Sequence, residues 1–340
     1  MRAAGLLVLM GVLLIPLFAL FPVVDYSFYS SVTRAWMSNS IALYSDEAFG
    51  FFYAPWALAL TVPLTFLPDQ LAQALLNFIS LLGLWAATWM LTRPRSAWEM
   101  VPAVLNPFAG WVFLLGQWDA LVLTGIGLSW LGVTERRPLL LGGGLVLATT
   151  KPTNVWLVVV LLLWATRGWS SRKKVLSLVP LMIAVASSFI VAGWDWPLRY
   201  LSSVSSAPPH GFDVSLFGTD YWPVQVVVGL AMLSWLVWLA GKKVRGSHIL
   251  LALAGNPLMS PYLVHYHLVT VGPAVVGVIQ KSRWIGASLW LLSFPLYWAF
   301  HTRWQPHLVL LFPFLVFAAL AWPLTVEKVK TREAVRSSSD

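Results

Sequence analysis

Apolar segments of membrane-spanning length follow one another along almost the whole chain, and this pattern restricts the fold more than any other feature. A straight transmembrane helix needs about 20 mostly apolar residues. Only 10 % of the residues are charged, against about 25 % in soluble domains. The candidate spans are Ala3–Phe21, Phe51–Leu67, Leu71–Thr92, Asp119–Val133, Pro138–Thr150, Val155–Thr166, Val175–Gly193, Trp222–Gly241, Ile249–Leu258, Leu268–Ile279, Ile285–Phe300 and Leu308–Leu324.

The pattern predicts an all-α, polytopic transmembrane protein with about 10 to 12 spans. Residues 1–324 are predicted to form a single transmembrane domain, and residues 325–340 a polar cytosolic tail without order. Ala3–Phe21 is interpreted as a retained span and not as a signal peptide, because only Arg2 precedes it and no small-x-small cleavage pattern lies before Asp25.

The basic residues predict which span ends face the cytosol. With the N-terminus inside and the spans alternating, the inner loops hold 16 of the 22 basic residues, in agreement with the positive-inside rule. Val101–Gly116 is interrupted at Asn106-Pro107, and proline disfavours helix at the preceding residue. This segment is therefore predicted to be short or re-entrant and not to cross. Arg34, Arg93, Arg95, Lys151, Arg199 and Arg303 then lie outside.

This distribution explains the net charge of +9 without nucleic acid, so no nucleic-acid partner is predicted. The same topology places five of the six histidines and eight of the thirteen acids on the outer face. Such a concentration indicates a site at that face, although ordinary hydrated loops are an alternative.

Two outer loops are long. In the first of these loops, which follows the first span, the spacing of Phe28, Val32 and Trp36 predicts a short interfacial helix. The second loop, Trp194–Tyr221, is predicted to be irregular.

Asp25 follows the first span by a few residues and is a candidate general base. Partial desolvation at that depth raises the pKa and the basicity of a carboxylate. The alternative is an ordinary helix-end residue. Lys151 is predicted at the outer end of a span, where the positive-inside rule disfavours a cation. It is a candidate contact to a phosphate, or a lysine that extends to the interface.

Further candidates lie in breaks of the apolar pattern. His265 and His267 follow Ser260-Pro261 and could bind a phosphate or a sugar, or serve packing alone. Two histidines at this spacing do not share a helix face, which argues against a paired metal site. Arg303 is a second phosphate candidate. Asp46 and Glu47 could orient an acceptor or hold a divalent ion, but no cofactor or metal is predicted, since no cluster of oxygen ligands is evident.

Motifs for nucleotide binding and zinc hydrolysis, GxxxxGK[ST], GxGxxG and HExxH, are absent from the sequence. A transferase without a nucleotide site would need an activated donor that reaches the outer leaflet. A lipid-linked phosphate meets that requirement.

Three groups of short motifs occur in order between Asp25 and Val271. The first is Asp25-Tyr26-Ser27-Phe28-Tyr29, Tyr44, Phe51-Phe52-Tyr53-Ala54-Pro55 and Pro63-Leu64; the second is Asn106-Pro107, Gly116-Gln117, Arg137-Pro138 and Lys151-Pro152; the third is Ser260-Pro261 with His265, His267 and Leu268. Together they resemble polyprenyl-phosphate-dependent glycosyltransferases of the GT-C superfamily. The nearest group is glycosyltransferase family 87, which includes mycobacterial mannosyltransferases of the phosphatidylinositol mannoside pathway.

The resemblance implies that Asp25 is the catalytic base, that the histidine of the third group faces the donor phosphate, and that Tyr53 and Gln117 belong to the substrate-binding residues. The family has two prolines where this chain has Ala54-Pro55. It also has adjacent histidines after an acid. Here His267 matches the second histidine and His265 takes the place of the acid, so both stay candidates.

The resemblance further implies an inverting transfer of a hexose, mannose in the family, from a polyprenyl-phosphate donor to a lipid or glycan acceptor. The reaction would take place in the cell membrane, among membrane lipids, at the extracytosolic face. Two other classes remain as alternatives. A transporter or flippase would carry ionisable residues near the bilayer midplane and often inverted repeats, and a membrane acyltransferase would use a similar histidine and acid.

Overall fold

The computed structural model describes residues 2–45, 48, 51–205, 214–216, 221–241, 243–260, 262–302 and 306–337. These residues are mostly helical and contain no β-strand. The α-helices are α1 (Arg2–Phe18), α2 (Asp25–Met37), α3 (Leu58–Thr61), α4 (Asp69–Thr92), α5 (Val101–Val104), α6 (Pro107–Leu115), α7 (Asp119–Thr134), α8 (Pro138–Ala148), α9 (Trp156–Ala165), α10 (Ser171–Ala192), α11 (Trp196–Ser205), α12 (Trp222–Ala240), α13 (Gly246–Gly255), α14 (Gly272–Lys281), α15 (Arg283–His301) and α16 (Leu311–Ser337). Short 3-10 helices cover Pro55–Ala57, Val62–Phe66, Ala97–Met100, Pro152–Asn154, Asn256–Met259, His265–Val271 and Pro306–Leu310.

Four stretches of helix within the described residues are long and apolar enough to cross a membrane: Asp69–Thr92, Ser171–Ala192, Pro223–Ala240 and Pro306–Thr331. The bent pair Ala97–Val104 and Pro107–Leu115 could form a fifth span, and five further apolar helices are shorter. The predicted class, an all-α polytopic membrane protein, is confirmed. The predicted number of spans stays a prediction, because length and composition alone select four or five.

The chain divides into two compact units that alternate along the sequence. The first unit is Met1–Ala87, Phe108–Pro152 and Ser171–His210, and the second is Thr88–Pro107, Thr153–Ser170 and Gly211–Asp340. The sequence had predicted one transmembrane domain. In the second unit, α13 is buried over His248–Gly255 and α14 over Gly272–Val278, so these two helices form the centre of that unit.

The antiparallel pair α7 and α8 sets the geometry of the first unit. A Cβ on Gly125 would lie 2.3 Å from the Ala148 backbone nitrogen, and one on Gly144 would lie 2.5 Å from the Ser129 Oγ. Small residues at such a crossing let two membrane helices pack backbone against backbone. As a result, Asp119 at the start of α7 lies beside Lys151, which follows α8.

The predicted crossing at Phe51–Leu67 is wrong. The Arg34 guanidinium of α2 pairs with Asp69 at 2.8 Å and donates to the carbonyl oxygen of Thr65 at 3.2 Å. An ion pair cannot join opposite faces of an apolar layer about 30 Å thick, so Asp69 lies on the same face as α2. The physical reason is the prolines at Pro55 and Pro63, which leave short helical turns that pack into the protein and do not span.

The segment after α4 is broken as the sequence predicts. The helices Ala97–Val104 and Pro107–Leu115 are bent by 62° relative to each other, so the break at Asn106-Pro107 is confirmed. A bent pair of this kind fits a broken span or a re-entrant loop, and the prediction that it does not cross stays a prediction. The Gln280 side chain donates to the Thr92 carbonyl at 3.2 Å and to Glu99 at 3.3 Å, which joins the end of α4 to the start of this pair.

The predicted helix in the first loop is confirmed as α2, but it buries a different face. Tyr26, Tyr29, Ser30, Val32 and Thr33 are buried, whereas the apolar spacing had pointed to Phe28, Val32 and Trp36. Tyrosine combines an apolar ring with a hydroxyl that can be hydrogen-bonded inside the protein, and the Tyr29 hydroxyl accepts a hydrogen bond from Gln117 at 2.9 Å.

Two predictions of irregular structure also differ from the structure. The loop Trp194–Tyr221 contains the helix α11, whose Trp196 and Tyr200 pack against Trp56 and Tyr44; Pro208–Gly211 lies outside the described residues. Helix α16 continues to Ser337, through the tail that was predicted to be disordered. Residues 325–337 contain neither glycine nor proline and are rich in Glu, Lys and Arg, which favour helix.

Candidate active site

Asp25 is the first residue of α2, where the helix dipole favours a negative charge. The residue is partly exposed, and the Gln117 amide nitrogen donates a hydrogen bond to Oδ2 of its carboxylate. Burial raises the pKa of Asp25 above its usual 3.8, against the lowering effects of the Gln117 hydrogen bond and the Lys151 charge. A carboxylate with a raised pKa and an accessible position is suited to accept a proton.

Gln117 is fully buried and connects the acid to the rest of the cluster. Its Nε2 also donates to the Tyr29 hydroxyl at 2.9 Å. Its Oε1 accepts from the Tyr53 hydroxyl at 2.9 Å and from Lys151 Nζ at 3.4 Å. Donors therefore surround one end of the amide, and this arrangement turns its NH2 group toward Asp25.

Lys151 and Asp119 form a buried ion pair beside Gln117. Lys151 Nζ lies 2.9 Å from Asp119 Oδ2, and the side chains are 6 % and 0 % exposed. Burial lowers the pKa of Lys151, and the Asp119 carboxylate opposes this effect by stabilising the ammonium. The ammonium also lies 5.1 Å from the centre of the Tyr53 ring. The charge of Lys151 is thus balanced inside the protein and directed at Gln117.

The turn between α6 and α7 places Gln117 and Asp119. The Gln117 backbone N–H donates to the Val112 carbonyl at 2.9 Å, and Gly116 has a φ of +68°. This is the helix ending in which a glycine adopts the left-handed conformation. A Cβ on Gly116 would approach Tyr26 Cβ to 3.0 Å, so both conformation and space require glycine beside Gln117.

Gly116→Ala should therefore destabilise the protein, by about 1–2 kcal/mol from the left-handed backbone alone. The matched control is Gly110→Ala in α6, where an added Cβ meets no atom within 4 Å and alanine favours helix by about 1 kcal/mol. The thermal unfolding midpoint in detergent should fall for the first variant and not for the second. Equal midpoints for the two would contradict the role of the turn.

Tyr53 is held at the cluster by its neighbours along the chain. The Ala54 backbone N–H donates to the Thr150 carbonyl at 2.9 Å, which joins this segment to the residue before Lys151. The Tyr44 hydroxyl donates to the Tyr53 carbonyl at 2.6 Å, and the Tyr29 and Tyr53 rings pack edge to face at 5.1 Å. Asp25, Tyr53, Gln117 and Lys151, all predicted from the sequence, thus come together in the first unit.

His265 and His267 belong to the second unit, in the 3-10 helix that starts at His265. The His265 ring packs on Phe300 with centroids 4.5 Å apart. Burial lowers the pKa of His265 to about 4, with a smaller contribution from His301, so this ring is neutral. His267 accepts the Val264 backbone N–H at Nδ1, at 3.2 Å. A neutral His267 therefore carries its proton on Nε2 and is a hydrogen-bond donor there.

Three predicted site residues, Asp46, Glu47 and Arg303, lie outside the described residues. Asp119 was counted among the outer acids but was not predicted to belong to the site. A carboxylate two residues after Gln117, at the start of an apolar helix, was the available signal. Within the described part of the chain, no group of three or more His, Asp or Glu side chains could hold a metal ion, and the predicted lack of a metal requirement stays a prediction.

The fold and this cluster define a helical membrane protein with buried ionisable side chains at the ends of its helices. The profile of glycosyltransferase family 87 matches residues 51–261, more than half of the chain. The protein therefore belongs to glycosyltransferase family 87 and is a glycosyltransferase. The match contains Tyr53, Gln117, Asp119 and Lys151 and begins after Asp25. Comparisons with curated proteins and with solved structures returned no match.

Proposed function

We propose that this glycosyltransferase moves a hexose from a polyprenyl-phosphate donor to a hydroxyl group of a lipid or glycan acceptor, with Asp25 as the base. The resemblance of its motifs favours mannose. The observation that carries the proposal is the partly exposed Asp25 carboxylate, whose Oδ2 accepts the Gln117 hydrogen bond. Oδ1 is then the oxygen that takes the proton.

The proposed step needs one base. The acceptor O–H proton passes to Asp25 Oδ1 while the acceptor oxygen forms a bond to the anomeric carbon. The bond from that carbon to the phosphate oxygen breaks on the opposite side, and polyprenyl phosphate leaves, so the configuration inverts. Because phosphate is a good leaving group, the protein mainly aligns the reactants and stabilises the departing charge.

The other residues take supporting roles in this proposal. Gln117 holds Asp25, and the pair of Lys151 and Asp119 orients Gln117. His267 is the proposed donor to the phosphate, since its Nε2 carries the proton. Arg303 is proposed as a second phosphate contact, and Asp46 and Glu47 as residues that orient the acceptor.

The lipid-linked donor and the extracytosolic face are supported by two observations. The sequence contains no nucleotide-binding motif. In a topology in which Ala97–Leu115 crosses the membrane, the alternation of spans leaves four of the 22 basic residues of the sequence on the Asp25 face. A face with so few basic residues is the one that points away from the cytosol.

The proposal is tested with membranes that contain the protein and a radiolabelled polyprenyl-phosphate mannose. Label should appear in a lipid or glycan product with inverted anomeric configuration, and sugar nucleotides should not replace the donor. Transfer from a sugar nucleotide alone would contradict the proposed donor. Movement of intact labelled donor across the membrane without transfer would instead indicate a transporter.

The pH dependence of kcat/KM tests the base. Transfer requires the Asp25 carboxylate, so the rate should fall as the pH drops through the pKa of Asp25, which lies above 3.8. The Lys151 charge lowers that pKa, so the double variant Lys151→Met/Asp119→Leu should shift the acidic limb to higher pH. Lys174→Met, a change on α10, should leave the limb in place. An unchanged limb in the double variant would contradict the coupling.

A further inference from the structure

A polar cavity of about 420 Å³ lies in the second unit, separate from the residues of the proposed reaction. Its walls include three basic side chains with a serine, a tryptophan and one acid: Arg95, Lys281, Arg283, Ser96, Trp98 and Glu99. The proposed topology, in which Ala97–Leu115 crosses the membrane, places all of them on the basic face of the membrane.

The cavity has an excess of positive charge. Within the described part of the chain, none of the three basic side chains takes part in an ion pair with an acid. The one carboxylate, Glu99, accepts hydrogen bonds from the Arg95 backbone N–H at 3.0 Å and from the Gln280 side chain at 3.3 Å. Glu99 is thus engaged by these donors, and three cations face the cavity.

The cavity lies at the level where the apolar layer ends. The Gln280 side chain reaches the carbonyl of Thr92, the last residue of the spanning helix α4. Trp98 on the cavity wall is 83 % exposed, and Trp284, next to Arg283, is 81 % exposed. Exposed tryptophans at helix ends are characteristic of the membrane interface. An anion that enters this cavity is therefore at the depth of lipid head groups.

We propose that this cavity binds the phosphate of an anionic phospholipid. Basic pockets between transmembrane helices recognise anionic head groups because several cations neutralise one phosphate. The exposed Trp98 and Trp284 rings favour a lipid over free phosphate, since their apolar faces can contact the acyl region beside the head group. A zwitterionic lipid has no net negative charge to match the three cations.

The proposal is tested on the full chain in micelles that contain equal amounts of phosphatidylglycerol and phosphatidylcholine, with bound lipids counted by native mass spectrometry. The wild type should retain phosphatidylglycerol in preference. Arg95→Gln/Lys281→Gln/Arg283→Gln should retain at least about tenfold less, since each cation near the surface contributes to binding an anionic lipid. The control Arg172→Gln/Lys173→Gln/Lys174→Gln removes the same charge from the start of α10.

Three outcomes would overturn the proposal. Equal loss in both triple variants would mean that overall charge, and not the cavity, retains the lipid. Equal retention of the two lipids by the wild type would exclude head-group selection. Full displacement of phosphatidylglycerol by added inorganic phosphate would assign the cavity to a free anion. Glycosyl transfer is measured in parallel and does not enter the readout, so failure here is distinct from failure of the proposed function.

Discussion

Asp25→Asn should lower kcat for sugar transfer by about 10²–10⁴-fold, the usual contribution of a general base. Asparagine keeps the size of the side chain and its place at the start of α2 but cannot accept the acceptor proton. Because the change preserves shape, the unfolding temperature and the donor KM should stay close to those of the wild type. The measurement is steady-state transfer in membranes, with protein amount determined by immunoblot.

The matched control for this variant is Asp195→Asn. Asp195 is an exposed acid that pairs with Arg199 at 2.8 Å on the first unit, and it has no role in the proposed reaction. Its substitution should leave turnover unchanged. Near-wild-type turnover of Asp25→Asn would remove Asp25 from the mechanism, whatever the control shows.

Lys151→Met should have the largest effect on stability, a loss of about 3–5 kcal/mol, because it removes the ammonium that pairs with the buried Asp119 carboxylate. Asp119 is 0 % exposed, so water cannot replace the ammonium. The double variant Lys151→Met/Asp119→Leu removes both charges and should recover most of the loss. The free energy of unfolding in detergent is the quantity to compare.

The control for the pair is Arg245→Met, which removes one partner of an ion pair with Glu327 whose side chains are 58 % and 57 % exposed. Exposed pairs contribute about 0–1 kcal/mol. If Lys151→Met lowers the free energy of unfolding by no more than this control does, the Asp119 carboxylate does not depend on Lys151 for its charge.

The double variant also separates two roles of Lys151. If Lys151 acts through Gln117 on Asp25, the folded double variant should lose kcat while its KM for the donor stays the same. If Lys151 binds the donor phosphate, as the sequence predicted, the KM should rise instead. The two roles of Lys151 therefore differ in their effect on the donor KM, which a change in stability alone does not alter.

The membrane class and the helices were predictable because apolar composition is a local property that any window of the chain displays. Asp25 could be selected as well, since it follows an apolar span directly and stands in a recognisable motif. The order in which the segments cross the membrane could not be predicted, because Phe51–Leu67 and Val101–Gly116 are both apolar and both interrupted by proline. Hydropathy does not distinguish a segment that packs into the protein from one that crosses.

By itself, the sequence determined that this is a helical membrane protein of a glycosyltransferase family, and it named Asp25, Tyr53, Gln117 and Lys151. Only the tertiary structure decided that Gln117 joins Asp25 to Lys151, that Asp119 balances the lysine, and that α2 lies on the same face as Asp69. The reason is distance along the chain: Gln117 and Asp25 are 92 residues apart, and Lys151 and Asp119 are 32 apart. Contacts of that kind depend on how the helices pack, which no local pattern of residues specifies.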